Sequence, residues 1–490
     1  MIPPRIRLAV GLVLVSAAMS ACGGGGGDSG SSGAAKNDVP PAELGTYLHV
    51  VAPSVVRRGE PVDLRLRVVT QAGLPDYDFE GAFRISTSSD DVEFPKPMSV
   101  EPQKEGSYVM RGIKFLTPGV QFVRGSVPED TVQALANPIN VVDDPEWHVY
   151  WGDLNGHSDL SSGSRPPGVH FWYAKAVALL DFAALTDHDA WTPESRALDE
   201  ATFLDVAEVA EDQHEPGVFV PFVGLEWTSR EYGSRLVYWP DQPTSLPSVA
   251  SGVDTPEKLR AALPEGAVIA IAHPSGSEVA ASMDPASIGR GQEDLIEIYS
   301  ARGIFETAAS HRPSSRETPG TSVRDLLLLG FDGGFIATGD GELSAPANPR
   351  PFAYADHPYP GGLTAVLAKE LTRPAILDAL RAGRCYATTG ERYLLEFSVD
   401  GTVMGAKLRV KKGHEAEVYG SLGSTTNWVR VEIVGPKGTL AVLTPDPGQA
   451  DVVEITAKTP PVQEPTWVYL RGIDERGGMA WSSPIRLVPE

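Results

Sequence analysis

Between Gly45 and about Val142, apolar and polar positions alternate in short runs broken by glycine and proline: TYLHVVAP, PVDLRLRVVT, GAFRISTS, GSYVMRGIKFL and GVQFVRGSV. A period of two over a few residues marks a half-buried strand. Evenly spaced short strands with turn residues between them predict an antiparallel β-sandwich over 45–143. The texture changes at VVDDPE, residues 141–146. From Trp147 onward, apolar runs alternate with helical patterns. HVYWGDL precedes GVHFWYAKAVALL, DFAALTDHD precedes PESRALDEATFLDVAEVA, TPEKLRAAL precedes VIAIAHP, and TSVRDLLLLG leads into GFIATGD. That alternation predicts an α/β arrangement with a parallel sheet. Residues 144–390 come close to the roughly 250 of a (β/α) barrel. Strand patterns return from Glu391 in YLLEFSVDG, HEAEVYGSL, NWVRVEIVG, DVVEITA, TWVYLRGID and SPIRLV. They predict a second, smaller β-sandwich-like domain over 391–490.

The first residues, MIPPRIRLAVGLVLVSAAMSACGG, follow neither period. Arg5 and Arg7 precede an apolar core from Leu8 to Ala18, too short to span a bilayer and of the length used for export. Small residues before Cys22-Gly23 resemble a bacterial lipobox. The resemblance implies a signal peptide over 1–21, cleavage before Cys22 and lipid on its sulfur. It places the protein on the periplasmic face of the outer membrane or at the cell surface, since Gly23 is not the aspartate that retains lipoproteins at the inner membrane. Residues 22–44, rich in glycine and serine, read as a flexible tether.

Charge and cysteine count narrow the chemistry. A formal net charge of −23 over 490 residues excludes a binder of nucleic-acid backbone. Two cysteines, Cys22 and Cys385, exclude a disulfide scaffold and a cysteine-based zinc cluster. Cys385 reads as a small buried hydrophobe. There is no G-x-S-x-G elbow, no P-loop and no dinucleotide glycine fingerprint attached to a strand.

What remains is a pattern of ligand-type residues at the C-terminal ends of the apolar runs. Asn155 and His157 follow the first, Asp187 and His188 follow ALT, Glu226 follows FVGL, His273 follows AIA, and Asp340 and Glu342 follow FIATG. In a parallel barrel those ends share one face. Carboxylates gathered there repel unless a divalent cation neutralises them. Asp153 is expected to fix the loop or a ligand ring. His49, His148, His170, His214, His311, His357 and His414 fall outside the pattern and read as structural or exposed.

The ordered motifs GDLNGHSDLSSG, LDFAALTDHDAW, GLEWTS, IAHPSG, IEIYSARGIFE, GFIATGDGE and ALRAGRCYATTGERYLLEF resemble the PHP (polymerase and histidinol phosphatase) superfamily. They are more similar still to the bacterial domain-of-unknown-function family 3604. The resemblance implies a distorted PHP-type (β/α) barrel flanked by the two β-rich domains, and a metal site for phosphoester hydrolysis. It puts His157, His188, Glu226, His273 and Asp340 at ligand positions, with Asp187 beside one of them. Three positions depart from the pattern: Asn155, Ser234 and Glu342 each stand where a histidine is expected.

Replacing imidazole by amide, hydroxyl and carboxylate moves the site toward hard cations. One or two divalent ions are therefore expected, manganese, magnesium or zinc, with Asn155 donating its carbonyl oxygen and Glu342 a carboxylate. His188, with Asp187 beside it, is the candidate for proton transfer. Arg302 and Arg384 either hold a substrate anion or form ion pairs on the rim. Trp191 and Trp227 read as core before pocket wall. The leading functional expectation is an exported, lipid-anchored, metal-dependent hydrolase of small-molecule phosphate esters using a cation-activated water. The competing expectation is a catalytically degenerate surface-binding lipoprotein.

Overall fold

The alternation in PVDLRLRVVT becomes a strand, Pro61–Val69, in which Leu64, Leu66 and Val68 are buried. The computed structural model describes residues 9–11, 47–70, 75–77, 79, 82–103, 106–127, 132–190, 197–276, 282–289, 292–308, 310–347, 358–448 and 450–490. Cys22, Trp191 and His357 lie outside them. The chain groups into two compact units. One takes residues up to Ala52, Gly59–Thr117 and Gln121–Ala136; the other takes Pro53–Arg58, Pro118–Val120 and Asn137–Glu490.

In the first unit, Tyr47–Val51, Pro61–Val69 and Tyr108–Phe115 pair antiparallel in that order. A second antiparallel set joins Arg84–Thr87, Val123–Val127 and Val132–Leu135. A Cβ on Gly125 would stand 2.7 Å from the Val50 side chain, so glycine there lets the two sheets approach.

The second unit carries the candidate site. Its strands are β1 His148–Asp153, β2 Phe182–Leu185, β3 Val220–Ser229, β4 Gly233–Tyr238, β5 Val268–Ile271, β6 Leu295–Ser300, β7 Gly334–Ala337, β8 Leu363–Ala368 and β9 Cys385–Thr388. Nearly all their residues are buried, which is why they read as continuous apolar runs. Pairing is parallel for β1–β2, β2–β3, β5–β6 and β6–β7. It is antiparallel for β3–β4, β4–β5, β1–β8 and β8–β9.

This corrects the expected distorted PHP-type (β/α) barrel. Such a barrel is built from parallel strands, each followed by a helix. Here strand far outweighs helix, and the described residues hold five α-helices, the longest Glu200–Asp212 at 13 residues. The reason is visible at β3–β4. Only Arg230–Tyr232 separate the two strands, and a connection that short makes a hairpin, because a parallel crossover takes a dozen residues or more.

Nor does the sheet stop at residue 390. β9 pairs with Met479–Ser482, which pairs with Thr466–Asp474, which pairs with Trp428–Gly435. Residues 391–490 therefore belong to the same unit as β1–β9. One continuous core contains Trp151, Leu225 and Trp227 together with Tyr386, Trp428 and Leu470. Tyr386 meets Trp151 edge to face at 5.5 Å and donates from its hydroxyl to the Tyr393 carbonyl at 2.8 Å.

Candidate metal centre

Five of the predicted ligands meet. His157 follows β1, His188 follows β2, Glu226 lies within β3, His273 follows β5, and Asp340 follows β7. Backbone bonds tie these ends together. The His157 amide donates to Gly341 O at 3.0 Å, and the Glu226 amide donates to Asp187 O at 3.1 Å. His157, Glu226, His273 and Asp340 are at most 2% exposed, and His188 is 9% exposed.

The ligand atoms form two groups that share Glu226. His157, His188 and Glu226 make one; Glu226, His273 and Asp340 make the other. Within each group the atoms lie within 4.8 Å of one another. His157 Nε2 is 3.6 Å from Glu226 Oε2 and 3.3 Å from Asp340 Oδ1. His273 Nε2 is 3.9 Å from Glu226 Oε1 and 3.7 Å from Asp340 Oδ2. The His157 and His188 rings stack at 4.5 Å, 8° from parallel.

Neither Glu226 oxygen has a hydrogen-bond partner among the described residues, although both are buried. A buried carboxylate without donors is costly, and a divalent cation removes that cost. The residues present thus fit a metal. Burial alone would push the Glu226 carboxyl up, but His188, His273 and His157 outweigh it and hold it below its ordinary range. Burial lowers the His188 pKa to about 4, leaving the neutral ring that ligation requires. For His273, burial is outweighed by Asp340 and Glu297, and its pKa rises to about 9.

Backbone strain concentrates here too. His273 and Asp340 have φ of 44° and 47°, in the left-handed region that costs a residue with a side chain about 1 kcal/mol. The Asp340 turn is held from below by Asp153, whose carboxylate accepts from the amides of Gly339 and Ala347, each at 2.8 Å. A Cβ on Gly339 would stand 2.3 Å from Asp153 Oδ2, so only glycine fits above that carboxylate. Burial pushes the Asp153 carboxyl up to about 7. Its loop-fixing role agrees with expectation.

Other predicted residues are placed differently. Asp187 is in neither ligand group and accepts from Ser158 N at 2.7 Å, Ser158 Oγ at 2.6 Å and Ser161 Oγ at 2.5 Å, so it orders the 158–161 turn. The Asn155 carbonyl oxygen, expected on the cation, accepts from Thr186 Oγ1 at 2.6 Å; its amide donates toward Asp340 at 3.5 Å. Ser234 is buried on β4 with its hydroxyl unpartnered. The Glu342 side chain is 27% exposed and faces Arg302 at 3.8 Å, outside both ligand groups. Arg302 is in the site, with its Nε on Asp340. Arg384 precedes β9 beside Trp147, its guanidinium 4.8 Å from that ring, and Trp147 precedes β1 while the ligands follow it. Arg384 is therefore not with Arg302. Trp227 is core, its Nε1 donating to Val253 O at 2.7 Å, and Cys385 is buried.

Sequence reasoning missed Glu297 on β6. It accepts from the His273 amide at 3.0 Å and lies 2.9 Å from His273 Nδ1, off the line of a good hydrogen bond, so it orients that ring. The signal was a lone carboxylate inside the otherwise apolar run LIEIY.

Residues 346–416 match the family described as protein of unknown function (DUF3604). The matched stretch begins after Glu342 and holds none of the ligand residues. The chain is 25% identical over 466 residues to an uncharacterized protein of Chlamydia muridarum (strain MoPn / Nigg), covering 89% of this chain and 73% of that one. An uncharacterized protein of Chlamydia trachomatis serovar D matches with the same identity and coverage. Trypsin-activated alpha-2-macroglobulin from Escherichia coli overlays with a TM-score of 0.16 at 8% identity, across 91% of this chain and 24% of that chain, a score that describes no shared fold.

Proposed function

We propose that the chain is an exported, lipid-anchored, metal-dependent hydrolase of phosphate esters. One observation carries the metal: Glu226, buried and without a hydrogen-bond donor, stands between two histidine-containing ligand groups. Kinship with the PHP superfamily, on this reading, resides in the order of the ligands along the chain and not in a barrel. The lipid anchor rests on the sequence around Cys22 alone.

His157, His188, Glu226, His273 and Asp340 would hold the cation or cations. Manganese suits this mixed imidazole and carboxylate set. Bound there, the ion supplies a polarised oxygen and a water of lowered pKa. Glu297 orients the His273 ring, Asp153 fixes the turn that presents Asp340, and Arg302 offers a fixed positive charge to an ester's anionic oxygens.

Metal analysis of the purified protein, paired with hydrolysis of a generic phosphodiester and monoester, tests the reading. Bound manganese and a hydrolysis that Glu226→Gln abolishes are expected. No bound metal, with no hydrolysis in manganese, magnesium or zinc, refutes it.

A further inference from the structure

Arg302 competes for the same carboxylate that the second ligand group needs. Its Nε contacts Asp340, its Nη2 lies 3.8 Å from Glu342 Oε1, and its Nη1 is buried with no hydrogen-bond partner. The residue is 5% exposed. Asp340 is also one of the three members of the group with Glu226 and His273. Such a guanidinium has one arm spare for a ligand and one arm in the place of a cation.

The charges in contact explain how the two uses combine. Glu226, Asp340 and Glu342 bring three negative charges. The other carboxylates nearby, Asp153, Asp187, Asp189 and Glu297, each accept from donors of their own and do not reach Arg302's contacts. One divalent cation and Arg302 bring three positive charges to face these three carboxylates. A second divalent cation at Glu226, His273 and Asp340 meets the Arg302 guanidinium on the same carboxylate, at short range and away from water, where like charges repel strongly. A dianion entering with it gives the guanidinium another partner, and the spare Nη1 is placed to receive that anion.

Resting on the metal-binding reading above, we infer that Arg302 is a displaceable counter-ion of the second ligand group. The site holds one cation at His157, His188 and Glu226 while Arg302 sits on Asp340. The second cation binds only together with a doubly charged anion, which takes the guanidinium from Asp340. The substrate class this selects is one with a terminal dianionic group, as in a phosphate monoester. Because binding linkage is reciprocal, the anion tightens the second cation by the same factor as the cation tightens the anion.

Manganese titration of the chelator-treated protein, followed by calorimetry and by the spectroscopic signal of free manganese, tests this without any turnover. Wild type is expected to bind one manganese tightly, and inorganic phosphate is expected to recruit a second with roughly tenfold or greater gain in affinity. Arg302→Gln should bind the second ion without phosphate, and phosphate should then change little. Arg302→Lys, which keeps the charge, should restore the dependence. Two equally tight ions in phosphate-free wild type would overturn the inference and leave the metal reading intact. So would an Arg302→Gln protein whose second site behaves as in wild type. No manganese under any condition would overturn the metal reading itself. If circular dichroism shows Arg302→Gln unfolded, the phosphate dependence of wild type decides.

Discussion

Glu306 lies four residues beyond Arg302 and anchors the segment that carries it. Its buried carboxylate accepts from Tyr469 Oη at 2.5 Å, Arg471 Nη1 at 2.8 Å and Trp481 Nε1 at 3.0 Å. Arg471 also reaches Glu432, with its Nε at 3.0 Å. Glu306→Ala removes the acceptor for three buried donors at once. Each orphaned donor costs about 1–3 kcal/mol, and breaking a buried ion pair about 3–5 kcal/mol. These terms overlap, and Glu432 still pairs Arg471, so a loss of roughly 4 kcal/mol is expected. Glu306→Gln keeps one oxygen as acceptor and loses the charge, so about 2 kcal/mol is expected. Urea unfolding followed by tryptophan emission measures both, with Trp481 itself inside the network. The reasoning fails if Glu306→Ala costs less than about 1 kcal/mol, or if the glutamine variant is as damaged as the alanine one.

Two further outcomes are expected. His170 is buried, its Nε2 bonded to Ala184 O at 3.0 Å and its Nδ1 unpartnered, and burial lowers its pKa to about 3. The folded pKa is depressed below the ordinary 6.5, so the unfolded chain binds the extra proton between those values. Stability is then full above about pH 6.5 and falls as pH drops toward 3, by an amount on the order of 4 kcal/mol. His170→Phe should flatten that acid limb in urea midpoints measured from pH 4 to 8, and an unchanged slope would count against the assignment. Gly339→Ala should cost about 1–3 kcal/mol, because its methyl meets the Asp153 carboxylate, and should weaken manganese binding through the Asp340 turn. Calorimetry showing wild-type affinity in a folded variant would disprove that coupling.

The clustering of His157, His188, Glu226, His273 and Asp340 was legible because each interrupts or ends an apolar run, and the strands that carry them, β1, β2, β3, β5 and β7, run in one direction and so share their C-terminal ends. Strand direction was not legible from the runs themselves. It depends on the connections, and the three residues Arg230–Tyr232 were the place to see it. Arg302's contact with Asp340 and the network around Glu306 join residues 38 and 163 to 175 positions apart, where no local period speaks. Asn155 was misjudged because composition gives a side chain's donors and acceptors but not which way its amide faces, and Thr186 settles that here.

The uninterrupted pairing of β9 with Met479–Ser482 bears on how this protein is divided for study. The stretch resembling a family of unknown function, 346–416, starts after Asp340, the last of the clustered residues, and ends between two strands of a small sheet, Leu394–Val399 and Glu417–Gly423. It is a slice through a larger body, not a module. Cut out alone, it would expose the edges of β8 and β9 to any strand that could add to them, and a fragment ending near residue 390 would do the same. Experiments on isolated pieces would report on aggregation before chemistry.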